Sequence, residues 1–218
     1  MADTTDEADL RQQLVDNYKR VEAIGLNELS SGNLSVRFGD CMLISPNGAR
    51  ADTIAADTVV ETSFDGRWRG EGRPSSEWRM HAAIYIKHAE AHAVVHTHSD
   101  YCVAVASHLL PLPGFHYLVG VFGGDDVPCV RYSTFGTQRL ADDAAAALTD
   151  RTACLLGNHG MICHGPSLAR AVNQAHRLEI MCRQYVLARQ LGEPQRLTAA
   201  EWREFHGGDK ASMYVQNG

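Results

Sequence analysis

The sequence predicts an α/β or mixed α+β protein in which helices cover a sheet. Three observations carry this. Short β-rich runs alternate with helical periodicity throughout the chain. Turn residues punctuate those runs at short intervals. No internal repeat or low-complexity linker interrupts the 218 residues, so one domain is expected over 1–218, with residues 1–5 and the C-terminal tail frayed. A domain of this length buries roughly 70% of its unfolded surface and needs no disulfides to fold.

The elements follow in order. From Asp6 to Ile24, Leu10, Leu14, Tyr18 and Val21 recur at helical spacing, and Gly25 is a stop signal. SSGNLSVRFGDCMLISPNG reads as two strands joined at Gly39-Asp40 and ended by Pro46-Asn47-Gly48. VVETSFDGRW reads as strand, turn, strand. SSEWRMHAAIYIKHAE reads as a helix, with Ser75 or Ser76 as N-cap and Trp78, Ala82, Tyr85 and Ile86 as its apolar stripe. AHAVVHTHS is a strand and DYCVAVASHLL a helix; GFHYLVGVFGG and VPCVRY are expected to be strands. TQRLADDAAAAL is an alanine-rich helix. TACLLGNHGMICHG holds two apolar runs broken at Gly157-Asn158-His159-Gly160. The longest helix runs from Ser167 to Gly192, and TAAEWREF is a short final one.

Composition excludes several classes. Twenty basic against twenty-six acidic side chains argue against nonspecific nucleic-acid binding. No run approaches the ~18 apolar residues that span a bilayer. The N-terminal MADTTDEADLRQQL is acidic and polar, unlike a signal peptide. The six cysteines are scattered with no C-x-x-C pair, which reads as reduced thiols in a cytoplasmic protein. Neither the G-x-G-x-x-G nor the G-x-x-x-x-G-K-[ST] nucleotide motif is present.

The unusual count is histidine, eleven in all. His96 and His98 stand at i and i+2 on the strand AVVHTH, so both imidazoles face the same way and can reach one metal. The bland reading puts one in the core and the other at the rim. His159 lies between glycines that permit close backbone approach and unusual φ values. Three imidazoles would leave a zinc ion an open position, as catalytic sites require. Glu77 opens a helix, where it is either simple dipole-favoured design or a base or fourth ligand beside the metal. Ser75 and Ser76 at that helix start, with the small-residue turns Gly32-Asn33 and Asn47-Gly48, form a candidate phosphate cradle. His81 shares the Glu77 face, where it either supports the metal site from behind or, the more ordinary reading, sits at a helix surface or interface. His88 and His92 are expected in solvent, His164 and His176 are read as structural, and Arg37 is read as near the phosphate or in a surface ion pair.

GNLSVR, ISPNG, PSSEWRMH, AVVHTHS and LLGNHGMI, in this order and spacing, resemble the class II aldolase/adducin family, closest to its fuculose-phosphate aldolases. The resemblance runs from about residue 10 to about 190 and weakens toward the C-terminus. It implies a single α/β/α layered domain with a largely antiparallel central sheet. It also implies a homotetramer with active sites at subunit interfaces. The family's zinc ligands fall on His96, His98 and His159, and its acid/base carboxylate falls on Glu77. Mn²⁺ or Co²⁺ could replace zinc. Substrate phosphate falls to Gly32, Asn33, Asn47, Gly48, Ser75 and Ser76. Related aldolases often carry Thr where this chain has Asn47, and an amide can still bond a phosphate oxygen. A tyrosine that protonates the aldehyde oxygen across the interface falls on Tyr117, and a C-terminal one on Tyr214.

The implied reaction is reversible cleavage of a ketose 1-phosphate, fuculose-like or a 5-deoxy- or 5-methylthio-ribulose 1-phosphate, to dihydroxyacetone phosphate and an aldehyde. The alternatives on this scaffold are a pentulose-phosphate 4-epimerase, a 3-oxo-sugar-acid phosphate decarboxylase and a methylthioribulose-phosphate dehydratase. Epimerase-like members tend to carry Asp at the position of Glu77 and insertions before the third histidine, so PSSEWRMH favours the aldolase. An adducin-like binding module lacks the complete triad that is present here.

Overall fold

A computed structural model of the chain describes residues 6–208, so the expected fraying at 1–5 and the tail from 209 onward, with Tyr214, lie outside the described residues. Its centre is an eight-stranded sheet. The strands are β1 (Asn33–Phe38), β2 (Cys41–Ile44), β3 (Val60–Ser63), β4 (Trp68–Arg69), β5 (Ala93–Thr97), β8 (Cys129–Val130), β9 (Ala153–Leu156) and β10 (Gly160–Gly165). They lie in the order β4-β3-β2-β1-β5-β10-β9-β8, and every pairing is antiparallel except β8–β9. The remaining strands, β6 (Leu112–Pro113) and β7 (Asp126–Val127), pair beside it.

Both faces of the sheet are covered, because alternate strand residues supply two apolar surfaces. Leu34, Val36, Ala93, Val95, Met161 and Cys163 pack into one core with α1 (Glu7–Ala23), α3 (Asp100–Ala106) and α5 (Leu168–Arg189). Met42, Ile44, Val94, Cys154 and Ile162 pack into a second core with α2 (Trp78–Lys87) and α4 (Gln138–Ala147). The layered α/β/α expectation therefore holds. α6 (Ala199–Gly207) lies against the 117–122 segment through Trp202 and Phe205. Among the described residues all six cysteines are unpaired, and no helix is long and apolar enough to cross a membrane.

Helix starts follow their capping residues. Asp6, Thr137, Ser167 and Thr198 each accept a backbone N–H in the first turn of α1, α4, α5 and α6, contacts worth about 1 kcal/mol apiece. α2 differs from expectation: its N-cap is Glu77, not Ser75 or Ser76, and Ile86 is exposed, not part of the buried stripe. The buried face instead runs through Met80, His81, Ala82, Ile84 and Tyr85.

The expected strand at GFHYLVGVFGG is a 3-10 helix, Tyr117–Phe122. Val119, Gly120, Val121 and Phe122 are all buried in this turn, between the core and α6. His116 Nδ1 accepts the Leu118 N–H at 3.1 Å and starts the turn. Gly120 lets the backbone approach α6, since a Cβ there would fall 2.6 Å from Phe205.

Candidate active site

β5 lies between β1 and β10, and its register brings the chemistry together. Asn33 is opposite His96 on one side, and Ile162 is opposite His96 on the other. His96 Nδ1 lies 2.7 Å from the Met161 carbonyl oxygen. A carbonyl only accepts, so Nδ1 carries a proton, and Nε2 is left either to hold a second proton beside Glu77 or to present its lone pair to a metal. His98, one turn of the pleat further on, follows on the same side, and the two Nε2 atoms are 3.0 Å apart. His159 comes from the β9–β10 turn. There Asn158, not a glycine, carries the unusual backbone, with φ of 54°. The flanking glycines serve close approach: a Cβ on Gly160 would meet Thr97 O at 2.2 Å. The three rings form a three-bladed array, each pair of centroids 4.8 Å apart and the planes inclined at 68–74°.

Glu77 closes this array from the start of α2. Its Oε2 lies 3.1 Å from His96 Nε2, and its Oε1 lies 3.2 Å from His159 Nε2. The second contact lacks hydrogen-bond alignment, so Oε1 is a buried carboxylate oxygen with no hydrogen-bond partner. Burial pushes the Glu77 carboxyl up, but the His96 charge and the His159 and His96 contacts outweigh it and hold the group well below the usual carboxylate range. Burial, then His96 and His159, push His98 down to about 4. For His96 burial acts downward and Glu77 outweighs it, so His96 is raised.

These observations fit a divalent cation. Glu77, His96, His98 and His159 each offer a ligand atom, all within 4.8 Å of one another. A tetrahedral site with Zn–N bonds of ~2.0–2.1 Å spaces its ligands by about 3.3 Å, close to the 3.0–3.2 Å contacts seen here. Lone pairs at that separation repel unless a proton or a metal lies between them.

A buried polar chain supports the carboxylate from behind. Asn33 Nδ2 donates to Glu77 Oε2 at 3.0 Å. Its Oδ1 is therefore turned to His81 Nε2, at 2.6 Å, and must accept from it. His81 Nδ1 then accepts from the Ser35 hydroxyl at 2.7 Å, and Ser35 Oγ in turn lies 2.7 Å from the Tyr85 hydroxyl. Burial and the charge of His96 push His81 down to about 3, so it is neutral, as this bonding requires. His81 is thus fully buried behind the site and not at a helix surface. Arg37 does not border the cavity that the cradle residues line and, among the described residues, makes no ion pair. It donates to the carbonyls of Ala91 and Tyr85 and ties down the end of α2.

The cradle residues line one cavity of about 400 Å³. Gly32, Asn33, Asn47, Gly48, Ser75, Ser76, Glu77, His98 and His159 all border it. The 45–48 and 73–77 loops are laced together: Asn47 N–H donates to Arg73 O at 2.9 Å and Ser75 N–H to Ser45 O at 3.1 Å. Gly32 and Gly48 sit at φ of 72° and 71°, which favours glycine at both turns. Ser31, Asn158, Tyr132 and Phe135 also border the cavity, and sequence reasoning did not single them out. Tyr132 and Phe135 are exposed aromatics on the loop after β8; the sequence reading places Tyr132 only in the strand VPCVRY, and Phe135 falls between that strand and the next helix. Tyr117 is not brought to this cavity within one chain; it lies on the 3-10 helix against His116 and Phe205.

Residues 12–186 match the model of the family described as Class II Aldolase and Adducin N-terminal domain. The chain is 42% identical over 192 residues to a 5-methylthioribulose-1-phosphate/5-deoxyribulose-1-phosphate aldolase of Rhodospirillum rubrum, covering 88% of this chain and 87% of that protein. It is 37% identical over 185 residues to an L-fuculose phosphate aldolase of Escherichia coli, covering 85% and 86%. Among solved structures it resembles an L-fuculose 1-phosphate aldolase with a TM-score of 0.86 and 32% identity, over 96% of this chain and 95% of that one.

Proposed function

The chain belongs to the class II aldolase and adducin N-terminal domain family, and from that premise we propose that it is a metal-dependent aldolase. It reversibly cleaves a ketose 1-phosphate to dihydroxyacetone phosphate and an aldehyde. One observation carries the reading: a buried carboxylate faces three histidine nitrogens at one end of a cavity lined elsewhere by small residues, amides and hydroxyls. The cavity lies within the roughly 300–1,000 Å³ range of small-ligand sites.

His96, His98 and His159 would hold the divalent ion, which we assign as zinc, with Mn²⁺ or Co²⁺ as substitutes. When bound, that ion supplies Lewis-acid stabilisation of the negative charge that develops on substrate oxygen as the C3–C4 bond breaks. Gly32, Asn33, Asn47, Gly48, Ser75 and Ser76 would hold the phosphate. Among the described residues that line the cavity there is no lysine or arginine, so neutral donors and the start of α2 carry that charge. Ser75 Oγ already accepts the Glu77 N–H at 3.3 Å, which leaves its own proton for a phosphate oxygen.

Glu77 exchanges a proton with C3. It returns one to that carbon after cleavage and removes it in synthesis; the neighbouring imidazoles hold it in the ionised form, the form that can accept the proton. Tyr117 of a second copy, and Tyr214, are our candidates for proton transfer at the aldehyde oxygen. This assigns a homotetramer whose sites are completed by neighbouring chains. Unpaired thiols support a reducing compartment, the cytoplasm, and the substrate class a role in carbohydrate metabolism. The whole chain is read as one domain.

The relatives divide over the aldehyde: one acts on methylthio- and deoxyribulose phosphates, another on fuculose phosphate. The test is to offer zinc-loaded protein L-fuculose 1-phosphate, 5-deoxyribulose 1-phosphate, 5-methylthioribulose 1-phosphate and a 3-oxo-sugar-acid phosphate in parallel. Release of dihydroxyacetone phosphate is expected. Carbon dioxide from a 3-oxo-acid phosphate, or an isomerised sugar with no cleavage, would overturn it.

A further inference from the structure

A second group of metal-ligating side chains lies at the other end of the β5–β10 ladder, outside the cavity described above. His88 ends α2, Glu90 follows it, and His164 stands on β10 opposite Val94. We propose that His88, Glu90 and His164 form a second site for a divalent transition-metal ion of the zinc or cobalt class.

The bonding of the two rings supports it. His88 Nε2 lies 2.9 Å from the Ala145 carbonyl oxygen, so Nε2 carries the proton and Nδ1 presents a lone pair. That Nδ1 is 3.5 Å from Glu90 Oε1, an acceptor facing an acceptor. His164 is buried, 3% exposed, and its Nε2 has no hydrogen-bond partner among the described residues. A buried ring nitrogen left unpaired costs about 1–3 kcal/mol, so such a group calls for a ligand. Fixing one ring nitrogen on a backbone carbonyl while the other turns inward is the usual outer-shell arrangement of a metal-binding histidine. His96 shows it at the first site through Met161 O.

The spacing is compatible. The three ligand atoms lie within 4.8 Å of one another, and bonds of ~2.0–2.2 Å need about 4.2 Å or less. His88 Nδ1 and Glu90 Oε1, 3.5 Å apart, already meet that limit, and the Glu90 side chain, 67% exposed, has room to turn onto the ion. Glu90 and His164 also border a cavity of about 220 Å³, which leaves room for water in the open positions. Gln174 borders that cavity too, and its Oε1 is buried with no partner, an acceptor for such a water. Bound there, the ion would clamp the end of α2, the helix that begins at Glu77, to the central sheet.

The test counts metal and does not depend on the proposed activity. The full chain is stripped with a chelator, given zinc chloride alone, passed through a desalting column and assayed for zinc per chain, with titration calorimetry in parallel. Two equivalents are expected for the unmodified chain. One is expected for His98→Ala, which loses the first site, and one for the double variant His88→Gln/His164→Gln. Glu90→Gln and single His88→Gln keep the fold if the double variant does not. Each should weaken the second equivalent by about 10- to 100-fold, a range set by the loss of even an outer-shell partner. A single equivalent on the unmodified chain would overturn the proposal. So would a second equivalent held with unchanged affinity by the His88 and Glu90 variants, which marks adventitious surface binding.

Discussion

Replacing His81 by Leu tests the chain of hydrogen bonds behind the carboxylate. Glu77 Oε2 can only accept, so Asn33 must present its NH₂, and the Asn33 carbonyl must then be met by a donor, His81 Nε2. Leu fills the space but donates nothing. It leaves Asn33 Oδ1 and the Ser35 hydroxyl without the partners they have at 2.6 and 2.7 Å. Each unpaired buried group costs about 1–3 kcal/mol, and added apolar burial returns about 1, so a net loss of about 1–5 kcal/mol is expected for the two. Asn33 is then free to turn over. A hydrogen bond to a charged group is worth about 1.5–3 kcal/mol, which converts to about 10- to 150-fold in turnover. Gln at the same position can still offer an N–H to Asn33 and should recover most of that loss. Urea unfolding measures the first quantity, and steady-state release of dihydroxyacetone phosphate by zinc-loaded protein measures the second. A folded His81→Leu protein that turns over within twofold of the unmodified chain would refute the reasoning. So would a Gln variant as impaired as the Leu one, because the donor would then be irrelevant.

Glu77→Gln should keep zinc, since three histidines remain, and lower turnover by about 10²- to 10⁴-fold; normal turnover with full zinc content would remove Glu77 from the chemistry. Gly160→Ala places a Cβ 2.2 Å from Thr97 O, a backbone atom beside His98, so a cost of about 1–3 kcal/mol and weaker zinc binding are expected from thermal melts and metal titration. His81 also predicts a pH dependence in the metal-free protein. Its unfolded value of 6.5 falls to about 3 on folding, so the unfolded chain binds the extra proton and stability declines as pH drops from 6.5 toward 3. Between pH 7 and pH 5 this one group removes about 2 kcal/mol, and denaturation curves of His81→Gln should be flatter by that amount.

What could be read in advance was what local pattern determines. The period-2 alternation of AVVHTH puts His96 and His98 side by side, and the structure keeps them so, with facing nitrogens 3.0 Å apart. The small-residue turns at Gly32-Asn33 and Asn47-Gly48 and the serines before α2 do border one cavity with Glu77. What escaped was what depends on the packing of distant segments. The His81–Asn33 bond spans 48 residues and the Ser35–Tyr85 bond spans 50. They exist because β1 lies under α2, so that Asn33 and Ser35, alternating along β1, face the buried side of a helix that looked merely amphipathic. A histidine on a helical surface and one in a buried relay have the same spacing in the chain; only the partner strand tells them apart. His88 was misread for the same reason, since Ala145 on α4 supplies the carbonyl that buries it. The histidine excess thereby resolves into groups with different physics. His96, His98 and His159 gather around one carboxylate, His81 stands behind it as a neutral donor, and His88 and His164 face each other across the far end of the same strand ladder. Each buried imidazole is oriented by a group it does not choose locally, so a count of histidines predicts metal chemistry only after the sheet register is known.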